Sequence, residues 1–385
     1  MKRFVILMAI FLGMATTDSA QIGKSVTVSA GTPEDKALAD IYAAPDGPEK
    51  VALLDKFAAE FGNGDMALLA DQLYVQTYLA QKNYAKVYEF AEKTLVLDPS
   101  NLSAAVNMVH AAEEQGDTKK LFAAGDRVAE IIAKYKNSPA PEGVAAEQWT
   151  QQKNVSLNNV QGDIGYVEYA LVNAGYKTAD PVARAALFER YVNAFPDSPY
   201  TVTVREQTAI AYQAAQDTPK MMDTAQRILA ADPNNISMLI LVSDYWSENN
   251  QQLDKAAADA QLALDQLAQA KKPDNLSDEQ WQQQVAVEKG LAYSAIGEVN
   301  VDKGHNQPAV DAFRQASPLL KSNTVLYARN LYRLGFTLAK MQRIPEARTV
   351  LTEAVSINSP YKAKAQETLN KIGGPVSGKG GKKSS

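Results

Sequence analysis

Apolar residues recur at helical spacing along most of the chain, and the stretch from Tyr84 to Asn101 shows the pattern most clearly. Its apolar positions fall on one side of a helix with 3.6 residues per turn. They are Val87, Phe90, Ala91, Thr94 and Leu95. The pattern stops at Asp98-Pro99, because proline lacks an N–H and disfavours helix for the residue before it. A second apolar helical pattern begins at Leu102, so this region is predicted to be helix, turn, helix.

The same helix–turn–helix pattern extends over most of the sequence and predicts an all-α fold. Alanine is abundant, and the alternation of apolar and polar residues that is typical of strands is scarce. Two Pro-containing interruptions, at 136–142 and 271–275, are predicted to be loops between helix pairs.

Two blocks of the sequence match each other in order, which predicts an internal tandem duplication of about 134 residues. The matched positions are Phe61 with Phe195, Pro99 with Pro233, Trp149 with Trp281, and Gly165 with Gly297. The first two pairs are 134 residues apart and the last two are 132 apart. Chance supplies one such match easily, but hardly four in the same order.

One repeat unit near the end of the chain resembles the tetratricopeptide repeat (TPR). The residues that carry the resemblance are Leu331, Leu334, Gly335, Leu338, Ala347, Leu351, Ala354 and Pro360. A second unit, from Tyr293 to Ala316, matches next best, and the other units match more loosely. The resemblance implies a TPR-like α-solenoid of antiparallel helix pairs, of the kind found in exported bacterial proteins that hold other molecules.

The N-terminus has the plan of a secretory signal peptide. Lys2-Arg3 is followed by a 12-residue apolar run, Phe4 to Ala15, and then by small residues. The run is too short to cross a hydrocarbon core of roughly 30 Å comfortably. Cleavage after Ala15 or after Ala20 is predicted, and an uncleaved membrane anchor is the alternative. A cleaved signal predicts a periplasmic or secreted protein without an integral membrane span.

These observations predict the following organisation. Residues 1–20 form the signal peptide, 33–182 a first TPR block, 183–320 a second TPR block, and 321–372 the last repeat with a capping helix. The Gly/Lys/Ser-rich residues 373–385 have no apolar face and are predicted to be disordered.

Composition excludes several kinds of chemistry. The sequence has no cysteine and only two histidines, His110 and His305, so thiolate sites and histidine-based metal clusters are not expected. Of the net charge of −5, residues 21–373 carry −9, which argues against nucleic acid as the main partner. No phosphate loop, zincin or nucleophile-elbow motif is present. We therefore expect no cofactor and no enzymatic activity. Trp149, Trp246 and Trp281 are expected to pack in the core or between repeats; the rival hypothesis is a glycan-directed enzyme that uses them as sugar platforms.

The resemblance also implies where a ligand binds, because TPR proteins line their groove with the first helix of each pair. The groove positions of this chain are His110, Glu113, Glu114, Glu206, Asp244, Glu248, Glu298, Asp302, Arg329 and Tyr332, with Phe336 and Lys340 beside them. The run of carboxylates predicts attraction of a basic protein or peptide segment; ordinary solvated charges are the alternative. Gln72 and Gln76 replace residues of the carboxylate clamp used by chaperone-binding TPR domains, which argues against that mode.

The sequence therefore predicts an exported TPR scaffold that mediates protein–protein interaction through a concave, partly acidic groove. The alternative function within the same class is an accessory protein in outer-membrane or polysaccharide assembly.

Overall fold

The computed structural model describes residues 22–274 and 276–373. The predicted signal peptide and nearly all of the predicted tail lie outside these residues. Within them the secondary structure consists of eighteen α-helices and no strand. The helices are α1 Pro33–Ala43, α2 Pro48–Phe61, α3 Asp65–Ala80, α4 Tyr84–Leu97, α5 Leu102–Gln115, α6 Thr118–Lys136, α7 Ala146–Asn159, α8 Gln161–Lys177, α9 Pro181–Ala194, α10 Thr201–Ala214, α11 Thr218–Ala231, α12 Ile236–Glu248, α13 Leu253–Gln269, α14 Asp278–Asp302, α15 Asn306–Leu320, α16 Thr324–Lys340, α17 Ile344–Ser356 and α18 Lys362–Lys371.

The helices pack in successive pairs, and each pair packs mainly on the next pair along the chain. The pairs α3 with α4, α5 with α6, α12 with α13, and α16 with α17 are examples. This local packing is the arrangement of an α-solenoid. The all-α, TPR-like fold predicted from the sequence is confirmed.

Small residues at the TPR positions explain how closely the paired helices approach. A Cβ atom on Gly335 of α16 would lie 2.6 Å from Cγ of Leu351 on α17, and one on Gly297 would lie 2.5 Å from Cε1 of Phe313. Ala347 and Ala354 are fully buried on the facing side of α17. Larger side chains at these positions would force the helix axes apart.

The chain divides into two compact units, residues 1–204 and 205–385. The first unit contains α1 to α9, with one hydrophobic cluster around α1 to α3 and a larger one around α4 to α9. The second unit contains α11 to α18 and three smaller clusters. The division falls inside α10, whereas the block boundary predicted from the sequence, between residues 182 and 183, stays a prediction.

Helix positions repeat along the chain. α3, α4, α5 and α6 begin at residues 65, 84, 102 and 118, and α10 to α13 begin 134 to 136 residues later. The next element differs: α14 is a single helix of 25 residues, whereas its counterpart is broken at Val160 into α7 and α8. Gly162 and the β-branched Val160 are poorer helix formers than their counterparts Ser294 and Ala292, which favours a break there. α8 continues through Gly175 to Lys177, and α9 begins at Pro181.

The residues that precede α1 form an extended segment, 22–30, which we call the N-terminal strap. Ile22 is fully buried, and its carbonyl accepts a hydrogen bond from the Leu102 N–H at 3.3 Å. Val26 and Val28 pack against the cluster of α1 to α3. The strap therefore belongs to the core of the first unit. Among the described residues, none of the helices is both long enough and apolar enough to cross a membrane.

Candidate functional site

In the first unit, His110 and Glu113 of α5 form a cluster with Tyr166 of α8. The rings of His110 and Tyr166 stack with their centroids 4.1 Å apart. The Tyr166 hydroxyl donates a short hydrogen bond to Glu113. Burial lowers the pKa of His110, while burial and the bond to Glu113 raise the pKa of Tyr166. His110 therefore packs against α8 through the ring of Tyr166.

Glu114, the next residue along α5, has partners from the preceding pair. Its carboxylate accepts a hydrogen bond of 2.5 Å from the Tyr84 hydroxyl and lies 3.1 Å from Nζ of Lys82. Hydrogen bonds from Tyr84 and Lys82 lower the pKa of Glu114. Glu113 and Glu114 therefore have different partners, and each already accepts a hydrogen bond from a tyrosine hydroxyl.

In the second unit, five side chains from three first helices form an arginine–carboxylate network. Its members are Asp244 and Glu248 of α12, Glu298 of α14, and Arg329 and Arg333 of α16. Arg329 donates to both oxygens of Asp244 at 2.9 Å and to Glu248 at 2.9 Å. Arg333 donates to Glu248 at 2.8 Å and lies 3.4 Å from Glu298. The network therefore links α12, α14 and α16.

Most of this network is shielded from water. The side chains of Arg329 and Asp244 are each 8 % exposed, whereas that of Glu248 is 37 % exposed. Burial lowers the pKa of Arg329, but the adjacent Asp244 and Glu248 outweigh it and raise that pKa. Burial raises the pKa of Glu298, partly offset by Arg333. Such ions persist in the interior because they are paired and hydrogen-bonded.

The network changes the electrostatic picture drawn from the sequence. Asp244, Glu248 and Glu298 share two guanidinium groups, so little of their charge is left for a ligand. The structure also pairs Arg329, another predicted groove residue, with two of these carboxylates. That these residues bind a ligand stays a prediction.

The remaining candidate residues of the second unit are Glu206, Asp302 and Tyr332. The Glu206 carboxylate accepts a hydrogen bond of 2.6 Å from the side-chain amide of Asn235. Burial raises the pKa values of Glu206 and Asp302. Tyr332 packs between Tyr361 and Phe336, at centroid distances of 6.3 and 6.2 Å. Asp302 lies close enough to Arg333, and Tyr332 close enough to Glu298, to interact with the charges of the network.

The last repeat presents an aromatic surface on α16. Phe336 is 40 % exposed, and Nζ of Lys340 lies 6.0 Å from the centre of its ring. An exposed phenylalanine with a neighbouring cation offers a contact to an apolar side chain. Trp246, by contrast, is only 2 % exposed and cannot serve as a sugar platform.

Sequence reasoning missed the contact between the strap and the α4–α5 turn. The Lys24 N–H donates to Oδ2 of Asp98 at 2.7 Å, and Nζ of Lys24 donates to the carbonyl of Leu97 at 3.1 Å. The signal in the sequence is the Asp-Pro-x-Asn motif, which occurs at 98–101 and again at 232–235. Helical periodicity indicates only that a helix ends there.

No set of three His, Cys, Asp or Glu side chains within residues 22–274 and 276–373 has the geometry of a metal site. The expectation that the protein needs no metal, no cofactor and no catalytic centre stays a prediction.

Comparisons with known proteins give structural likenesses only. No protein-family model matches the chain, and no curated protein matches it. Among solved structures, NprR in complex with its cognate peptide NprX is 14 % identical over 79 % of this chain and 82 % of its own, with a TM-score of 0.36. Yeast Tom70 is 12 % identical over 91 % of this chain and 65 % of its own, with a TM-score of 0.32. The TPR domain of P58(IPK) is 10 % identical over 89 % and 99 %, with a TM-score of 0.30.

These identities and TM-scores are too low to support an argument. The fold of this chain is established by its own helix pairs and by the small residues between them. The class that they define is a TPR-type α-solenoid built as two compact units.

Proposed function

We propose that this protein is an exported, non-enzymatic scaffold whose TPR-type helix pairs bind a protein or peptide in the cell envelope. The observation that carries the proposal is the strap in the first unit. There the helix pairs hold an extended stretch of polypeptide through one buried apolar side chain, Ile22, and through hydrogen bonds to its backbone.

These are the two contacts that recognition of an extended peptide needs. Backbone hydrogen bonds supply affinity that does not depend on sequence, and a pocket for a side chain supplies specificity. The helix pairs of the second unit are built from the same repeat, so the same kind of contact is available to a ligand there.

The proposed partner is basic, because residues 21–373 carry a net charge of −9. Opposite charge raises the rate of encounter and makes binding sensitive to salt. Export is proposed from the basic, apolar and small-residue pattern at the N-terminus, and cell fractionation tests it directly. Recovery of the protein only in the cytoplasm would contradict export.

A role in outer-membrane or polysaccharide assembly is the second candidate. Trp149 is partly exposed, although its indole N–H already donates to the carbonyl of Ser138 at 3.1 Å. A partly exposed tryptophan with a fixed ring can stack on a sugar. Loss of glycan binding in the Trp149→Ala variant is the result expected from this role.

In-cell photocrosslinking tests the scaffold proposal. A benzophenone amino acid at Phe336, on the aromatic surface of α16, is expected to capture a defined envelope protein. The matched control places the same amino acid at Thr352, which is exposed on the second helix of the same pair. The proposal would be contradicted if position 336 gave no crosslinked adduct, or if positions 336 and 352 gave the same adducts in equal amounts. Turnover of cell-wall glycans that a single carboxylate substitution abolishes would contradict it as well.

A further inference from the structure

The α4–α5 turn of the first unit shows how an extended segment is held. Oδ1 of Asp98 accepts from the Ser100 N–H at 3.1 Å and shapes the turn, while Oδ2 accepts from the Lys24 N–H of the strap at 2.7 Å. Asn101 caps α5 by accepting from the Ala104 N–H at 3.0 Å. Oδ2 therefore serves both the bound segment and the turn, because it also accepts from the Asn101 side-chain amide at 3.3 Å.

The same turn occurs in the second unit, 134 residues later. Oδ1 of Asp232 accepts from the Asn234 N–H at 3.1 Å, and Asn235 caps α12 by accepting from the Met238 N–H at 3.1 Å. The Asn235 amide bonds to Glu206 at 2.6 Å, whereas the Asn101 amide bonds to Asp98. Within the part of the chain that the structure describes, Oδ2 of Asp232 has no hydrogen-bond partner.

The second turn also lacks the cover that the strap gives the first. Three positions that are buried in the first unit are more exposed at their counterparts in the second. Asp98 and Leu102 are 1 % and 2 % exposed, whereas Asp232 is exposed and Ile236 is partly exposed. Leu95 is 4 % exposed, and its counterpart Leu229 is partly exposed. An apolar and hydrogen-bonding surface that the first unit covers is thus open in the second.

The negative charge at the second turn indicates the charge of the ligand that covers it. Burial raises the pKa values of Glu206 and Glu288; the charge of Asp232 adds to the rise at Glu206, and the charge of Glu206 adds to the rise at Glu288. Across residues 205–274 and 276–373, none of these three carboxylates lies within 4 Å of a lysine or arginine nitrogen. A cluster of carboxylates without a cation favours a basic ligand.

We propose that the α11–α12 turn of the second unit binds an extended segment of a partner protein with the pattern apolar residue, glycine, lysine or arginine. The segment lies on Asp232, Leu229 and Ile236 as Ile22-Gly23-Lys24 lies on the first turn. This inference rests on the proposed scaffold function and names the chemistry of its ligand.

Each position of the pattern has a physical reason in the first unit. The apolar residue takes the place of the buried Ile22. The glycine is required because Gly23 has φ +126°, and a Cβ there would lie 2.8 Å from Oδ2 of Asp98. The basic residue donates its N–H to the aspartate as Lys24 does, and in the first unit the side chain of Lys24 donates to the carbonyl of Leu97. At the second turn, the negative charge of Glu206 and Glu288 favours a basic side chain at this position. The chain's own strap is already used in the first unit, so the segment comes from a partner.

A labelled peptide with the sequence of residues 21–26, acetylated and amidated, is the probe, and the full-length protein is the target. We expect binding that Asp232→Ala or Glu206→Gln weakens at least about tenfold, since each removes a charge-assisted contact. Asp223→Ala is the matched control, because Asp223 is an exposed carboxylate of α11 paired with Arg227. It should leave the affinity unchanged.

Peptide variants test the pattern itself. Replacing the glycine with valine should abolish binding, and replacing the lysine with alanine should weaken it and reduce its dependence on salt. A benzophenone group at the last position of the peptide should crosslink to residues 229–238. Crosslinks confined to residues 95–104, equal affinity of the Asp232→Ala protein, or no binding would each overturn the inference.

The outcome separates this inference from the scaffold proposal. Capture of an envelope protein through Phe336 that survives Asp232→Ala would leave the scaffold in place and remove the turn as its recognition site. Failure of both capture and peptide binding would remove the scaffold proposal as well. Circular dichroism on each variant confirms that the helices are retained.

Discussion

The two arginines of α16 decide the electrostatics of the first helices in the second unit. Arg329 bonds both oxygens of Asp244 inside the protein, and Arg333 joins Glu248 to Glu298. A buried pair of this kind contributes little net stability over an apolar pair, but removing one partner leaves a charge without compensation. Both arginines therefore hold the helices of the second unit together, although repeat position places Arg329 in a ligand groove.

Substituting one arginine of the network tests this role. Arg329→Met should lower the free energy of unfolding by about 3–5 kcal/mol, because Asp244 stays buried without its partner. The control is Arg227→Met, which breaks an ion pair whose side chains are 70 % and 64 % exposed; it should cost about 0–1 kcal/mol. Urea unfolding followed by circular dichroism measures both. Equal losses would show that the network is no more important than a surface pair.

Asp71 on α3 offers a test by pH. Burial raises the pKa of Asp71 from 3.8 to about 6, Lys93 lowers it and Glu89 raises it. A carboxyl group whose pKa is raised in the folded state favours folding when protonated, so its contribution is lost as the pH rises from about 4 to about 6. Asp71→Asn should therefore be more stable than the parent protein above pH 6, with the difference vanishing below pH 4. Thermal midpoints across this range measure the difference; a constant difference would contradict the raised pKa.

The sequence identified candidate residues better than it identified their partners. Repeat position brought Asp244, Glu248 and Glu298 to first helices, and the structure brings them together. Arg329 and Asp244 are 85 residues apart, and their pairing depends on the rotation from one helix pair to the next. Periodicity says which side of a helix a residue occupies, but it does not say which residue of another helix meets it.

At the scale of elements, local rules predicted the helices well. α4 occupies Tyr84–Leu97, and its cap Asp98 precedes the proline that stops it. The duplicated pattern failed to predict that α14 is continuous while α7 and α8 are separate, because matches at the same offset are compatible with both. The difference depends on weak helix formers such as Gly162, whose effect is of order 1 kcal/mol. An effect of that size is easily overridden by tertiary packing.

Overpacking tests the helix contact of the last repeat. Ala347 is fully buried on α17, which lies against α16. Ala347→Trp should destabilise the protein by at least about 1–3 kcal/mol, because the helices would have to separate to admit the ring. Thr352→Trp places the same ring on an exposed position of α17 and should change stability by less than about 0.5 kcal/mol. A shift in thermal midpoint no larger for Ala347→Trp than for Thr352→Trp would show that the register of α17 is wrong.

At the scale of the whole molecule, contacts are mostly between neighbours along the chain, and they divide the protein into two compact units. In a solenoid, stability is approximately a sum over repeats and the interfaces between neighbours. A local change should therefore loosen one unit more than the other. The sequence predicted this modular behaviour through its repeats, but the strap escaped prediction, because residues 22–30 have neither helical periodicity nor a repeat partner.

The strap provides the test of this modularity. Ile22 is fully buried and connects the strap to α5, so Ile22→Ser removes an apolar anchor and places a hydroxyl in its pocket. Loss of a buried aliphatic side chain costs about 2–5 kcal/mol when the site cannot relax; here the strap can detach, which limits the loss to about 1–3 kcal/mol. Thr27→Ser, at an exposed position of the same strap, is the control.

Hydrogen–deuterium exchange locates the loss. Amides of α3 to α5 should exchange faster in the Ile22→Ser protein, because the Asp98 turn and the start of α5 lose their cover. Amides of α12 to α17 should keep their rates, since they belong to the second unit. Equal acceleration in both units would mean that the protein unfolds as one cooperative block. Unchanged rates around α5 would mean that the strap is not part of the core.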